Sequence, residues 1–163
     1  MKIGVSGSHG VGKSFLVYEL ATKYKLKYPN KEVTVITEIA RKCPFKINKE
    51  ATIETQIWML SNQMKLEIEA TNNCDIVITD RTIVDYLAYT IYLNPEMYMI
   101  LFNYIKWFVK TYDKIIFKSL KNNDYLIYDG KREIDKNYQK QIDNNLVNIY
   151  LELNPYINKL KVI

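Results

Sequence analysis

Residues 7–14 read Gly-Ser-His-Gly-Val-Gly-Lys-Ser, directly after a short apolar run, Lys2 to Ser6, and directly before a helical pattern that begins at Lys13. Glycines at 7, 10 and 12 let the backbone turn tightly and bring its N–H groups inward. A helix opening at the end of such a turn adds unsatisfied donors and the positive end of a dipole. The run fits G-x-x-x-x-G-K-[ST] at every fixed position and has the strand–turn–helix context that the pattern needs to grip phosphates. Gly7, Ser8, His9, Gly10, Val11, Gly12, Lys13 and Ser14 are therefore expected to wrap a nucleoside triphosphate, with ATP the expected ligand. Lys13 places a full charge on the β- and γ-phosphates, and the Ser14 hydroxyl reaches Mg²⁺. His9 is the only histidine. It is expected to fill a variable loop position with its side chain turned outward, because this chemistry needs positioning and charge rather than an imidazole base.

Beyond the loop, short apolar runs alternate with long amphipathic ones. Strands are predicted over 2–6, 32–37, 75–79, 114–117 and 157–163. Helices are predicted from Lys13 to about Pro29, over about 51–71, 83–93 and 96–111, and over about 136–152. The 51–71 helix presents Ile53, Ile57, Leu60, Met64 and Ile68 at helical spacing as its apolar face. Trp107 and the tyrosines read as packing residues. The alternation predicts an α/β, three-layer fold with a five-stranded parallel sheet flanked by helices. No repeat or linker divides the chain, so 1–163 reads as a single domain, with a polar lid segment at about 119–135.

Hydrophobic residues make up 48% of the 163 and charged residues 25%, an ordinary globular balance. The formal charge of +5 is spread along the chain and reads as a solvated lysine-rich surface. Cys43 and Cys74 have no zinc spacing and read as reduced thiols. With no signal-peptide core and no apolar run of bilayer length, the expectation is a cytoplasmic protein without a membrane partner.

In a parallel sheet, ligands gather at the carboxyl ends of the strands. Asp80 follows four β-type residues and is placed to hold Mg²⁺, as Ser14 is, with Arg81 beside it to clamp a phosphate or an acceptor. Glu38 stands where a general base could take a proton from an acceptor hydroxyl. The alternative for Glu38 and Arg41 is a surface ion pair one helical turn apart, and Arg41 reads equally either way. Lys131 and Arg132 suit a cationic lid, Arg132 the better because its planar fork holds phosphate at two points. The expected catalytic set is Lys13, Glu38, Asp80, Arg81 and Arg132.

Together, Gly7 to Ser14, Thr37-Glu38-Ile39-Ala40-Arg41, Gln56, Asp80-Arg81-Thr82 with Asp85 and Tyr89, and Asp129-Gly130-Lys131-Arg132 with Asp135 resemble compact P-loop kinase-like ATPase domains. That group includes the bacterial nicotinamide-ribosyl kinase domain. More broadly the set is similar to deoxynucleoside and thymidylate kinases. The resemblance implies that the phosphate-loop strand lies mid-sheet, that Glu38 and Asp80 lie near the transferred phosphoryl group, and that Arg81 and Arg132 touch phosphates or acceptor. The expected function is ATP-dependent phosphoryl transfer to a small nucleoside- or nucleotide-like acceptor. A nucleotide-dependent binding module or slow NTPase, and a kinase acting on a polynucleotide or modified base, are the alternatives. Gln56 and Trp58 read equally as acceptor-facing, core or surface residues.

Overall fold

The computed structural model describes residues 1–37, 39–121 and 134–163. Five strands, β1 (Lys2–Ser6), β2 (Val33–Ile36), β3 (Ile76–Asp80), β4 (Lys114–Phe117) and β5 (Leu160–Val162), form one parallel sheet in the order β2-β3-β1-β4-β5. The phosphate-loop strand is central, as expected. It pairs with β3 through Ile3↔Ile78 and with β4 through Gly4↔Ile115. The helices are α1 (Lys13–Lys27), α2 (Ile39–Lys42), α3 (Ile53–Asn73), α4 (Ile83–Leu93), α5 (Pro95–Phe108) and α6 (Lys136–Leu153).

Because side chains alternate along a strand, each strand feeds two cores. Ile3, Val5, Ile76, Ile78 and Ile116 pack with Val17 of α1 on one face. Val77, Ile115 and Phe117 face the larger core of α3, α4, α5 and α6, built on Ile83, Leu87, Ile105, Phe108, Tyr112, Ile142, Leu146 and Ile149. Gly4 lies on that second face, where a Cβ would come within 2.4 Å of Thr82 Cγ2. Only glycine lets the start of α4 approach the central strand this closely. Among the described residues, no helix is long and apolar enough to cross a membrane.

Helix α3 departs from its apolar pattern. It buries Thr55, Gln56, Met59, Leu60, Gln63, Met64 and Glu67, while Ile57 and Ile68 are 39% and 51% exposed. The buried stripe is turned toward residues whose polar groups find partners inside. Glu67 accepts from Lys2 Nζ at 2.8 Å, from Gln63 Nε2 at 2.7 Å and from the Tyr112 hydroxyl at 2.6 Å. Lys2 Nζ also lies over the Phe108 and Tyr112 rings, 4.4 and 4.3 Å from their centroids. A satisfied polar cluster can be buried like an apolar one, and hydrophobic periodicity cannot register it. Trp107 is a second correction, since it is 66% exposed on α5. Tyr86, Tyr89, Tyr98, Tyr112, Tyr138 and Tyr150 are buried, in keeping with packing, whereas Tyr18, Tyr28, Tyr92 and Tyr104 are exposed and depart from it.

Candidate phosphate-binding site

The loop between β1 and α1 keeps the conformation its glycines permit, with φ of 152° at Gly7, 82° at Gly10 and 77° at Gly12. At Gly7 a Cβ would also lie 2.4 Å from the Lys118 carbonyl oxygen, so that position admits no side chain. Lys13 is buried beneath the loop and donates to the carbonyls of Gly7 (2.8 Å) and Ser8 (2.6 Å). Its ammonium thus lies inside the turn that its backbone opens.

The loop is anchored from two later helices. The Gly7 N–H donates to Asp85 Oδ1 at 3.0 Å, and Asp85 Oδ2 accepts from the N–H and hydroxyl of Thr82 at 2.7 and 2.9 Å. Asp85 therefore caps α4 with one oxygen and steadies the loop with the other. The Thr82-x-x-Asp85 spacing spells a capping box in the sequence, but the reach to Gly7, 78 residues away, has no local signal. The Ser8 hydroxyl donates to Asp143 Oδ1 at 3.3 Å, and Gln139 donates to the His9 carbonyl at 2.6 Å. His9 does not turn outward. Its ring is 5% exposed, with Nδ1 3.2 Å from the Tyr89 hydroxyl and its centroid 5.6 Å from that of Tyr138. Tyr89 of α4 and Tyr138 of α6 enclose the ring, so packing draws the side chain in.

Ser14 and Asp80 meet at the mouth of the loop, the Ser14 hydroxyl donating to Asp80 Oδ2 at 2.5 Å. A hydroxyl and a carboxylate side by side, next to a phosphate cradle, fit Mg²⁺, which takes few protein oxygens and completes its shell with phosphates and water. Among the described residues there is no cluster of three His, Cys, Asp or Glu that would suit a different ion.

Arg81 follows Asp80 with a left-handed backbone, φ 87°. Its guanidinium carbon stands 5.4 Å from the Tyr89 ring centroid, and Nη1 is 3.8 Å from Asp85 Oδ1. Nη1 is buried and makes no hydrogen bond among the described residues. Burial opposes the charge, but Tyr89, Asp85, Tyr86 and Asp80 outweigh it and push the pKa of Arg81 up, so the group stays cationic. These residues open onto a cavity of about 450 Å³. Lys13, Ser14, Asp80 and Arg81 line it together with Thr37, Ala40, Arg41 and Asn48. Arg41 thus faces the space beside the loop. Gln56 and Trp58 are not in its lining; Gln56 is buried and Trp58 packs against the core. Glu38, Lys131 and Arg132 lie outside the described residues.

Asp143 links the loop to the end of β4, accepting from Ser8, from the Leu120 N–H (3.1 Å) and from the Ser119 hydroxyl (3.3 Å). Burial raises its pKa more than these donors and Lys13 lower it. The folded state therefore holds the Asp143 proton more tightly than the unfolded state. The resulting stability is present in acid and lost as pH rises through the folded pKa. Asp143→Asn keeps the acceptor at Oδ1 and removes the charge, and Ser119 can accept from the new amide. Its urea midpoint is expected to rise by about 0.3 M at pH 7 and to match wild type below the carboxylate range. A lower midpoint at pH 7 would show that the charged form earns its hydrogen bonds.

A five-stranded parallel sheet with a glycine-rich loop leading into α1, and Asp80 at the end of the neighbouring strand, defines a P-loop nucleotide-binding fold of the kinase-like kind. A family model described as an AAA domain matches residues 2–161, and the chain belongs to that family. Deoxyadenosine kinase from M. mycoides, solved with bound dATP, shares the fold with a TM-score of 0.70 and 21% identity, over 100% of this chain and 90% of that one. Thymidylate kinase from Ehrlichia chaffeensis gives 0.69 and 18%, over 100% and 91%. The NadR protein in complex with NAD and AMP-PNP gives 0.74 and 18%, over 99% of this chain and 43% of that one. No curated protein matches the sequence.

Proposed function

We propose that the protein transfers the γ-phosphoryl group of ATP to a hydroxyl or phosphate of a small nucleoside- or nucleotide-like acceptor. The observation that carries this reading is the cavity. Lys13, Ser14, Asp80 and Arg81 share one cavity of about 450 Å³ with Thr37, Arg41 and Asn48, so the loop and strand-end groups open onto a space with further polar lining that an acceptor can use. Neighbours of the same fold solved with dATP, with AMP-PNP and as thymidylate kinase support the substrate class.

In this mechanism the loop amides and Lys13 hold the β- and γ-phosphates. When the triphosphate enters, the Lys13 ammonium exchanges loop carbonyls for phosphate oxygens. Ser14 and Asp80 would hold Mg²⁺, which neutralises charge developing on the bridging oxygen when bound. Arg81 supplies a fixed cation beside the transferred group, held against Tyr89. An acceptor oxygen forms the new bond to the γ-phosphorus as the bond to ADP breaks, and Glu38 takes the proton of a hydroxyl acceptor. Arg132 adds charge from the segment before α6.

Incubation with ATP, Mg²⁺ and a panel of nucleosides and monophosphates is expected to release ADP with at least one acceptor well above the acceptor-free rate. Equal release with and without every acceptor would sink the transfer reading. In the active pair, Arg81→Met is expected to lower kcat by about 10²-fold, the typical loss for one preorganised charge donor, with nucleotide Kd changed less than about threefold. A change confined to Kd would remove Arg81 from the transition state.

A further inference from the structure

The turn that presents Arg81 is held from behind by groups the phosphate chemistry does not use. The Arg81 N–H donates to Val5 O at 3.0 Å and so still belongs to the sheet. Its carbonyl is rotated away and accepts from Gln63 Nε2 at 3.2 Å. Two residues on, the Ile83 N–H donates to the Tyr112 hydroxyl at 3.2 Å. Gln63 and Tyr112 both donate to Glu67 Oε1, and Lys2 Nζ holds the other carboxylate oxygen. Gln63, Glu67 and Tyr112 are fully buried, and Tyr86 fixes the Gln63 amide by donating to its Oε1 at 3.3 Å. A φ of 87° is sparsely populated for a residue with a side chain and persists only where surroundings over-determine it.

We propose that Gln63 and Tyr112, hung from the buried Glu67–Lys2 ion pair, are positioning residues: they clamp the two ends of the Arg81–Ile83 turn and hold the Arg81 backbone left-handed, which aims its guanidinium into the cavity. This rests on the phosphoryl-transfer reading for its catalytic consequence, while the backbone claim stands on its own. The Thr82–Asp85 cap alone does not account for the clamp, since it holds neither the Arg81 carbonyl nor the Ile83 N–H.

The test uses Gln63→Met, Tyr112→Phe, Arg81→Ala and the Gln63→Met/Arg81→Ala double variant, each checked for nucleotide affinity, kcat and crystal structure. Gln63→Met is expected to lower kcat about 10-fold with nucleotide Kd within about twofold, and to have no further effect on the Arg81→Ala background, because it acts through Arg81. Tyr112→Phe is expected to give a smaller loss of the same kind. In crystals of Gln63→Met, Arg81 is expected to relax to negative φ. An unchanged kcat, a loss that adds fully to that of Arg81→Ala, or a retained positive φ would overturn the proposal. If wild type transfers to no acceptor, the transfer reading fails separately and the crystal structure decides. Negative φ in Gln63→Met then supports the clamp and positive φ rejects it.

Discussion

Lys13→Ala is expected to reduce triphosphate affinity and phosphoryl transfer together, each by on the order of 10²–10³-fold, while the protein stays folded. The ammonium is buried under the loop within 2.8 Å of the Gly7 and Ser8 carbonyls, so it needs no reorganisation beyond exchanging those acceptors for phosphate oxygens. A charge held in place and shielded from bulk water is worth far more than one on the surface. Asp85 on Gly7 and Asp143 on Ser8 still tether the loop in the variant, so lost affinity reports lost charge rather than a collapsed turn. Titration with a fluorescent ATP analogue and an ADP-release assay measure the two effects. Wild-type values in both would mean that no triphosphate sits in this loop.

Glu67→Ala is expected to be the most damaging single change to stability, by about 3–5 kcal/mol, the usual cost of leaving one member of a buried ion pair uncompensated. Lys2 is 4% exposed and Glu67 fully buried. The variant strands the ammonium and removes the acceptor of Gln63 and Tyr112 at once. In the wild type, burial, with Glu67 beside it, pushes the Tyr112 phenol well above its ordinary pKa, so the hydroxyl stays neutral and donates to Glu67. Against a typical total of about 5–15 kcal/mol, the loss approaches unfolding. The Lys2→Met/Glu67→Met pair, which removes both charges, is expected to recover much of it. Urea denaturation monitored by circular dichroism measures both. A single variant within about 1 kcal/mol of wild type would show that water reaches the pair.

The phosphate loop is legible because its chemistry dictates residue types at fixed spacing, and Asp80 because strand-end carboxylates are conspicuous after four β-type residues. The parallel sheet follows from the alternation of strands and helices, and the resemblance implies a mid-sheet loop strand, but the order β2-β3-β1-β4-β5 has no signal in the residues themselves. Helix α3 is not legible in the same way. Ile57 and Ile68 satisfy the helical period yet face solvent, whereas Gln56, Gln63 and Glu67 are buried. Gln63 and Glu67 become core because Lys2, Tyr112 and the Arg81 carbonyl meet them from distant parts of the chain. His9 fails for a related reason: the Tyr89 and Tyr138 rings that enclose it come from α4 and α6. Neighbours in space, not in sequence, decide both.

Strand β1 precedes the other four in the chain, yet it is flanked by strands that begin at Ile76 and Lys114. The tethers on Gly7 and Ser8 arrive with Asp85 and Asp143. A chain emerging from the ribosome thus carries its glycine-rich loop well before the strands and tethers that shape it have been translated. Long-range pairing of this sort slows assembly, and the loop is fully tethered only once Asp143 has joined the fold.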